Sequence, residues 1–102
     1  MKFKLNTMVS ANGTSFHGQV VEATVTELIA ACGSPAAENN DGQDKVNFEW
    51  VLETGTGNVF TIYDWKEYRV LPMNEVIEWH IGAHSKLVAE QALKELESIL
   101  RS

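Results

Sequence analysis

Two histidines, His80 and His84, lie four residues apart in the segment IEWHIGAHSK at residues 77–86. On a helix this spacing places two zinc ligands on one side. The alternation of apolar and polar residues before Gly82 indicates a strand instead, and on a strand entering a turn the two rings diverge. No second cysteine and no aspartate cluster completes a ligand set. The sequence therefore predicts no metal site and no cofactor.

Glu78 and His80 are two residues apart, so on a strand they share a face and could exchange a proton. Such chemistry would make the protein a hydrolase, with a carboxylate as helper: the candidates are Glu78, Glu49 and Asp64. However, no serine, cysteine or threonine lies in a recognisable nucleophile turn, and neither glycine-rich stretch matches a phosphate loop. Plain surface residues are the simpler interpretation, and we expect no enzymatic activity.

The end of the same segment, GAHSK, has the pattern of a helix start. Ser85 is a residue type that caps helix N-termini, and Gly82 allows the backbone to turn tightly into the helix. The free N–H groups of a helix start also attract anions, with His84 and Lys86 close by. The pattern fits two alternatives: a purely structural cap, and a cap that also contacts a phosphate or carboxylate.

A second candidate binding segment is IYDWKEYR at residues 62–69, where aromatic and basic side chains are interleaved. Tyr63 and Trp65 beside Lys66 have the composition of a site that stacks a nucleobase and pairs with its phosphate. The same composition is typical of a protein–protein hot spot. A third interpretation is structural, with Trp65 covering the edge of the sheet.

Seven predicted elements must position these residues. Alternating polar and apolar residues predict strands, and apolar residues at helical spacing predict helices. The strands are predicted at 2–10, 15–21, 45–53, 59–65 and 76–81, and the helices at 25–32 and 86–101. This β-β-α-β-β-β-α order predicts an α+β two-layer sandwich, in which an antiparallel sheet of about five strands carries both helices on one face.

Local signals mark the ends of the first helix. Thr24 and Glu27 form a capping box, in which each side chain satisfies a free backbone donor. Gly33 supplies a left-handed cap, and Pro35 prevents the helix from continuing.

Three connections are also predicted. Asn12-Gly13 favours a tight hairpin turn between the first two strands. Residues 36–44 are expected to form a polar loop. Gly82-Ala83 is expected to end the last strand.

Two helices cover only one face of such a sheet. The apolar residues expected on the covered face are Phe48, Trp50, Phe60, Ile62, Ile77 and Trp79. The opposite face, called the open face below, must meet solvent, a ligand or another subunit. It is expected to carry Glu49, Tyr63, Trp65, Glu78 and His80. We expect the function to reside on the open face and at the helix ends.

Length and charge limit the function classes. The 102 residues suit one α+β domain over 1–102, and no apolar run reaches the roughly 18–20 residues of a membrane span. A net charge of −6 without a basic cluster argues against nucleic-acid binding. The N-terminus lacks the apolar stretch of a signal peptide, so a cytoplasmic location is expected. The single cysteine, Cys32, rules out an intrachain disulfide and is expected to be a small buried residue.

Three runs, TVTELIAACGSP, DKVNFEWVLETGTGNVFTIYDWKEY and EWHIGAHSK, resemble a family of small uncharacterised proteins common in tailed bacteriophage genomes. The family shares a T-x-x-E-L helix, a K-V-x-x-E-W strand, a T-I-Y-[DN]-W-K strand and a W-H-I-G-G-x-S turn. The resemblance covers about residues 16 to 90. Cys32 replaces the usual aromatic before Gly33, which affects core packing. Ala83 replaces the second glycine of the last motif, and its methyl group counts against a close approach of a ligand to the backbone there.

The resemblance implies a phage or prophage protein that acts in the bacterial cytoplasm, and it implies no activity. We therefore expect a non-enzymatic phage accessory protein, a homo-oligomer, that counters host defence by binding a small anionic, nucleotide-like ligand. The predicted ligand-binding residues are Tyr63, Trp65, Lys66, His80, Gly82, His84, Ser85 and Lys86. The alternative is an inhibitor that binds a host protein through the aromatic face of the sheet. A hydrolase using His80 is the third hypothesis.

Overall fold

The computed structural model describes residues 13–43 and 45–101. Its elements are β1 (Ser15–Ala23), α1 (Val25–Cys32), β2 (Ala37–Glu38), β3 (Phe48–Glu53), β4 (Val59–Tyr63), β5 (Ile77–Ala83) and α2 (Lys86–Leu100). The strands form one antiparallel sheet in the order β1-β5-β4-β3-β2. Both helices contribute to one core against a single face of this sheet. The predicted α+β architecture is confirmed.

Helix α1 begins and ends where the sequence predicts. The Thr24 hydroxyl accepts from the Glu27 N–H at 3.0 Å, and the Glu27 carboxylate accepts from the Thr24 N–H at 2.9 Å. Gly33 ends the helix with φ +80°, and its N–H donates to the Ile29 carbonyl oxygen at 2.8 Å. Its ψ of −163° leads into extended backbone rather than the predicted left-handed turn.

Two tryptophans anchor the core between the sheet and the helices. Trp50 on β3 and Trp79 on β5 are fully buried and meet edge to face, with ring centroids 5.5 Å apart. Their indole N–H groups donate to the carbonyl oxygens of Gly33 and Ala23, at 2.8 and 2.9 Å respectively. Because Ala23 lies just before α1 and Gly33 just after it, these bonds hold both ends of α1 against the sheet.

The β3–β4 hairpin follows the predicted alternation. On β3 every second residue from Phe48 is buried, and those between are partly exposed. β4 ends at Tyr63, so Trp65 lies beyond the strand rather than within it as predicted. The hairpin turn is tied to α2, since the Glu95 carboxylate accepts from the Gly55 N–H at 2.9 Å.

The chain leaving β4 is held by side chains that bond the backbone. The Asp64 carboxylate is fully buried and accepts from the N–H groups of Asn47 and Phe48 at 2.8–3.0 Å. Asn40 donates to the Leu71 carbonyl oxygen at 3.0 Å and accepts from the Leu71 N–H at 2.7 Å. These bonds fix the course of the connector between β4 and β5.

The same connector has unusual backbone geometry. Lys66 and Tyr68 have φ values of +56° and +51°, which are uncommon for residues with a Cβ. The Lys66 N–H donates to the Lys45 carbonyl oxygen at 2.7 Å. Gly42 lies so close to the connector that an added Cβ would be 2.7 Å from the Arg69 Cα. The loop before β3 therefore packs directly on the connector.

Strand β1 pairs with β5 through an irregular stretch. The register shifts after Phe16, where Gly18 has a φ of +93°. The His17 ring compensates by bonding the neighbouring strand. Its Nε2 donates to the Ala83 carbonyl oxygen at 3.0 Å. The bulge keeps Phe16 beside the end of β5.

Two further predicted boundaries are wrong, and one predicted strand lies outside the described residues. The last strand is not broken at Gly82-Ala83 as predicted, because β5 includes both residues and pairs there with β1 and β4 before it ends at Ala83. The predicted polar loop 36–44 contains β2, whose Ala37 pairs with Glu49 on β3. The predicted strand at 2–10 falls outside the ranges that the structure describes.

Candidate functional site

The open face carries four ring side chains in mutual contact, here called the aromatic cluster: Phe16, Tyr63, Trp65 and His80. Tyr63 on β4 pairs directly with His80 on β5, and their ring centroids are 5.5 Å apart. The Phe16 ring from β1 stacks on His80 at 4.1 Å, with 16° between the ring planes. Trp65 lies 6.3 Å from His80 and 6.1 Å from Tyr63. Three strands and the connector thus meet at His80.

His80 contributes ring area rather than charge to this cluster. Burial lowers the pKa of His80, and the nearby Glu78 carboxylate opposes this shift only in part. Its ordinary value is already below neutrality, so the imidazole is neutral at pH 7. One face of the ring is covered by Phe16.

The outer rings of the cluster remain accessible and are flanked by cations. Phe16 is 43% exposed and Trp65 is 40% exposed. The ammonium groups of Lys45 and Lys66 lie over the Trp65 ring, 5.9 and 5.5 Å from its centroid. At these distances each cation is attracted by the ring's π electrons.

A small cavity of about 230 Å³ lies beside the aromatic cluster, and we call it the open-face pocket. The residues that shape it include Ser15, Glu49, Thr61, Tyr63, Trp65 and Gly82. Gly82 forms part of its wall, because an added Cβ there would lie 2.5 Å from Thr61 Oγ1 and 3.4 Å from Tyr63 Cε1. A glycine is therefore needed at this position, because only a residue without a Cβ lets β5 lie this close to the Thr61 side chain of β4.

Glu49 is the acidic group of the open-face pocket. It pairs with Tyr63 across β3 and β4, and its side chain is partly buried. Burial raises the pKa of the Glu49 carboxyl, and burial together with the Glu49 charge raises the pKa of Tyr63. Among the described residues no side chain donates a hydrogen bond to the Glu49 carboxylate or forms an ion pair with it.

Five of the eight predicted ligand-binding residues come together here: Tyr63, Trp65, Lys66, His80 and Gly82. Strand register is the cause, because Tyr63 pairs with His80 and Thr61 pairs with Gly82 on adjacent strands. The connector then returns Trp65 and Lys66 to the same surface.

The other three predicted residues, His84, Ser85 and Lys86, lie at the start of α2. The Ser85 hydroxyl accepts from the Val88 N–H at 3.2 Å, so the predicted N-cap is confirmed. The His84 ring faces Gly13, where an added Cβ would be 3.2 Å from its Cε1. None of the three lines the open-face pocket, although the ring of His84 lies beside Gly13, close in the chain to the pocket residue Ser15.

The predicted ligand-binding set omitted four residues of this site, although Glu49 was expected on the open face: Phe16, Lys45, Glu49 and Thr61. Glu49 and Thr61 carry a usable signal, because alternation places them on the same face as Tyr63. Phe16 carries no such signal, since its position depends on pairing between β1 and β5, which are far apart in the sequence.

Other residues suited to catalysis are engaged elsewhere. The buried Asp64 carboxylate bonds backbone donors, and the Arg69 guanidinium pairs with Glu75 and Glu67. Cys32 is buried in the core, where burial raises its pKa to about 12. Within the described parts of the chain, no three His, Cys, Asp or Glu side chains are grouped as metal ligands. No helix there has the length and apolarity to cross a membrane.

Larger hollows lie on the helix side of the molecule. One of about 470 Å³ is bordered by β1, α1 and the end of α2, and its rim carries Glu22, Glu27, Glu97 and Arg101. Another of about 320 Å³ lies between α1 and the end of α2. The described residues lining both hollows include no aromatic ring. Aromatic rings line the smaller open-face pocket instead.

Comparison with protein-family models, with curated proteins and with solved structures found no match to this chain.

Proposed function

We propose that this chain is a non-enzymatic binding protein whose open face docks onto a partner protein. The observation that carries the proposal is the aromatic cluster. Its rings are packed together around His80, yet Phe16 and Trp65 keep about two fifths of their surface exposed. Rigid exposed rings beside cations are typical of protein–protein hot spots, because they bury large area at little cost in side-chain entropy.

The size of the open-face pocket favours a side chain of a partner over a whole nucleotide. Sites for drug-sized ligands usually enclose roughly 300–1,000 Å³. The open-face pocket holds about 230 Å³. The His80 ring, which could stack a base, is already covered by Phe16.

The surroundings of His80 support a binding role rather than catalysis. A histidine base is normally oriented by a carboxylate that accepts from its second ring nitrogen. In the described residues His80 has ring contacts but no such hydrogen bond. Asp64, one of the candidate helpers, directs its carboxylate to the backbone of β3 instead.

The resemblance to phage proteins supplies the class of partner. We propose a phage accessory protein that meets a bacterial host protein in the cytoplasm and alters it by stoichiometric binding. Countering host defence is one purpose that such binding serves.

Affinity capture from bacterial lysate tests the proposal. Trp65→Ala removes an exposed ring of the aromatic cluster, and Leu87→Ala is the control, since Leu87 is 78% exposed on α2 and outside the cluster. We expect a stoichiometric partner that Leu87→Ala retains and Trp65→Ala loses, with the difference confirmed by calorimetry on the purified pair. A partner that Trp65→Ala binds with native affinity contradicts the proposal.

A second candidate function is binding of a small anionic, nucleotide-like ligand. The observation that favours it is the pair of ammonium groups over Trp65. Calorimetric titration with cyclic and linear nucleotides tests it, and uniformly absent heats reject it.

A homo-oligomer would make a second copy of the chain the partner. Sedimentation velocity on the native chain and on Trp65→Ala shows whether copies associate through the aromatic cluster.

A further inference from the structure

We propose that the open-face pocket is a subsite for one guanidinium group, held between the Glu49 carboxylate and the rings of Tyr63 and Trp65. The proposal deepens the function proposed above, because an arginine of the partner protein would supply the group. The chemistry of the pocket can be tested without that partner.

The first argument is the state of Glu49. Its carboxylate is partly withdrawn from water and lacks a side-chain partner among the described residues. A desolvated charge of this kind is unfavourable until a cation and hydrogen-bond donors reach it. A guanidinium supplies both at once, because its N–H groups form a planar fork that fits a carboxylate.

The second argument is the arrangement of the rings. The planes of Tyr63 and Trp65 meet at 81°, so the two side chains form a corner along the cavity. A planar cation can stack on one ring while its edge meets the other. The hydroxyl groups of Tyr63 and Thr61 line the same cavity and can accept further N–H bonds.

The third argument concerns charge and size. The ammonium groups of Lys45 and Lys66 lie near the Trp65 ring, and neither lysine lines the cavity, so the cavity holds one acidic side chain and no basic one. The net charge of −6 favours the approach of a basic partner. A volume of about 230 Å³ admits the end of one side chain rather than a larger ligand.

The probe is N-acetyl-arginine amide, with N-acetyl-citrulline amide as its neutral counterpart of nearly the same shape. Binding is followed by backbone amide shifts in two-dimensional NMR of the full chain. We expect saturable shifts centred on Glu49, Thr61, Tyr63 and Gly82 with the arginine compound, and none with the citrulline compound.

Two variants complete the experiment. Glu49→Gln removes the charge and is expected to weaken arginine-amide binding about tenfold or more, since a charge-assisted hydrogen bond is lost. Glu78→Gln is the control, because Glu78 is an exposed carboxylate on the same face and does not line the pocket. Equal binding of the two compounds, unchanged affinity in Glu49→Gln, or no saturable shift overturns the proposal.

The outcome is distinguishable from that of the proposed function. A partner protein that is lost in Trp65→Ala but bound normally by Glu49→Gln supports docking through the aromatic cluster and overturns the guanidinium subsite. A guanidinium that binds as expected, with no partner that depends on Trp65, supports the subsite alone.

Discussion

The two faces of the sheet use aromatic residues in opposite ways. On the covered face the rings of Trp50 and Trp79 are fully buried, and both indole N–H groups are bonded to backbone carbonyl oxygens. On the open face Phe16 and Trp65 are packed on one side only and keep a large part of their surface in water. The covered face is complete, whereas the open face has contact area left for another molecule.

The difference gives a physical criterion that separates aromatic residues completing the core from those with surface left for binding. A structural aromatic has its polar atom satisfied and its surface covered by its own chain. Phe16 and Trp65 do not meet this description, because about two fifths of each side chain stays exposed, although they lie on a strand or next to one. Folding alone does not account for their exposure.

The largest expected contrast between the faces is in stability. Trp79→Ala is expected to lower the free energy of unfolding by about 3–5 kcal/mol, because it leaves a core cavity and an unpaired Ala23 carbonyl. Trp65→Ala is expected to cost about 1 kcal/mol or less, as is usual for exposed sites. Urea denaturation followed by circular dichroism measures both. Equal losses would contradict the division between the faces.

Asp64 follows β4 and has a buried carboxylate. Its removal tests whether this carboxylate holds the connector in place. Asp64→Ala leaves the Asn47 and Phe48 N–H groups without their acceptor and is expected to cost about 2–4 kcal/mol. Asp64→Asn keeps one acceptor oxygen and is expected to cost less. Thermal unfolding ranks the three proteins, and an unchanged Asp64→Ala midpoint would show that the connector is held by other contacts.

Gly82→Ala tests the open face at its closest contact. The added methyl group would lie 2.5 Å from Thr61 Oγ1, so we expect a loss of about 1–3 kcal/mol and a closed pocket. Thr61→Ala removes the opposing oxygen. The cost of Gly82→Ala is expected to be smaller in that background, as a double-mutant cycle in urea will reveal. Strictly additive costs would mean that the two residues do not press on each other.

The smallest effect is expected at Glu49, and it depends on pH. Burial raises the pKa of Glu49 above its ordinary value of 4.5, so the folded chain holds this proton more tightly than the unfolded chain does. The resulting stability is present below pH 4.5 and is lost as the pH rises through the folded pKa. Glu49→Gln is therefore expected to be more stable than the native chain at pH 7, and not at pH 4.

Urea titrations at both pH values measure this difference. Tyr63, the titratable group beside Glu49 on β4, has a pKa raised from 10 and stays protonated throughout. Glu90→Gln is the control, because Glu90 is an exposed carboxylate on α2, away from the open face. A gain of the same size at both pH values would show that the charge of Glu49 is not its cause.

Local signals in the sequence predicted the elements well, because each depends on neighbouring residues. The Thr24 capping box, the alternation on β3 and the Ser85 cap are all of this kind. The end of β5 was predicted too early, because a glycine in the sequence resembles a strand break. Gly82 is instead a glycine because the Thr61 side chain on β4 leaves no room for a Cβ there. Phe16 was missed for the same reason, since its place is set by pairing with a distant strand, whereas Glu49 and Thr61 lie on the face that alternation indicates.

The pairing of β1 with β5 has a consequence for how the protein folds. Ser15 pairs with Ala83, so the sheet joins segments near opposite ends of the described chain. Contacts of such wide sequence separation close large loops, which slows folding. During synthesis the β3–β4 hairpin can form early, but the Phe16–His80 stack must wait for β5. The docking surface proposed above is therefore completed late, only after β5 has been synthesised.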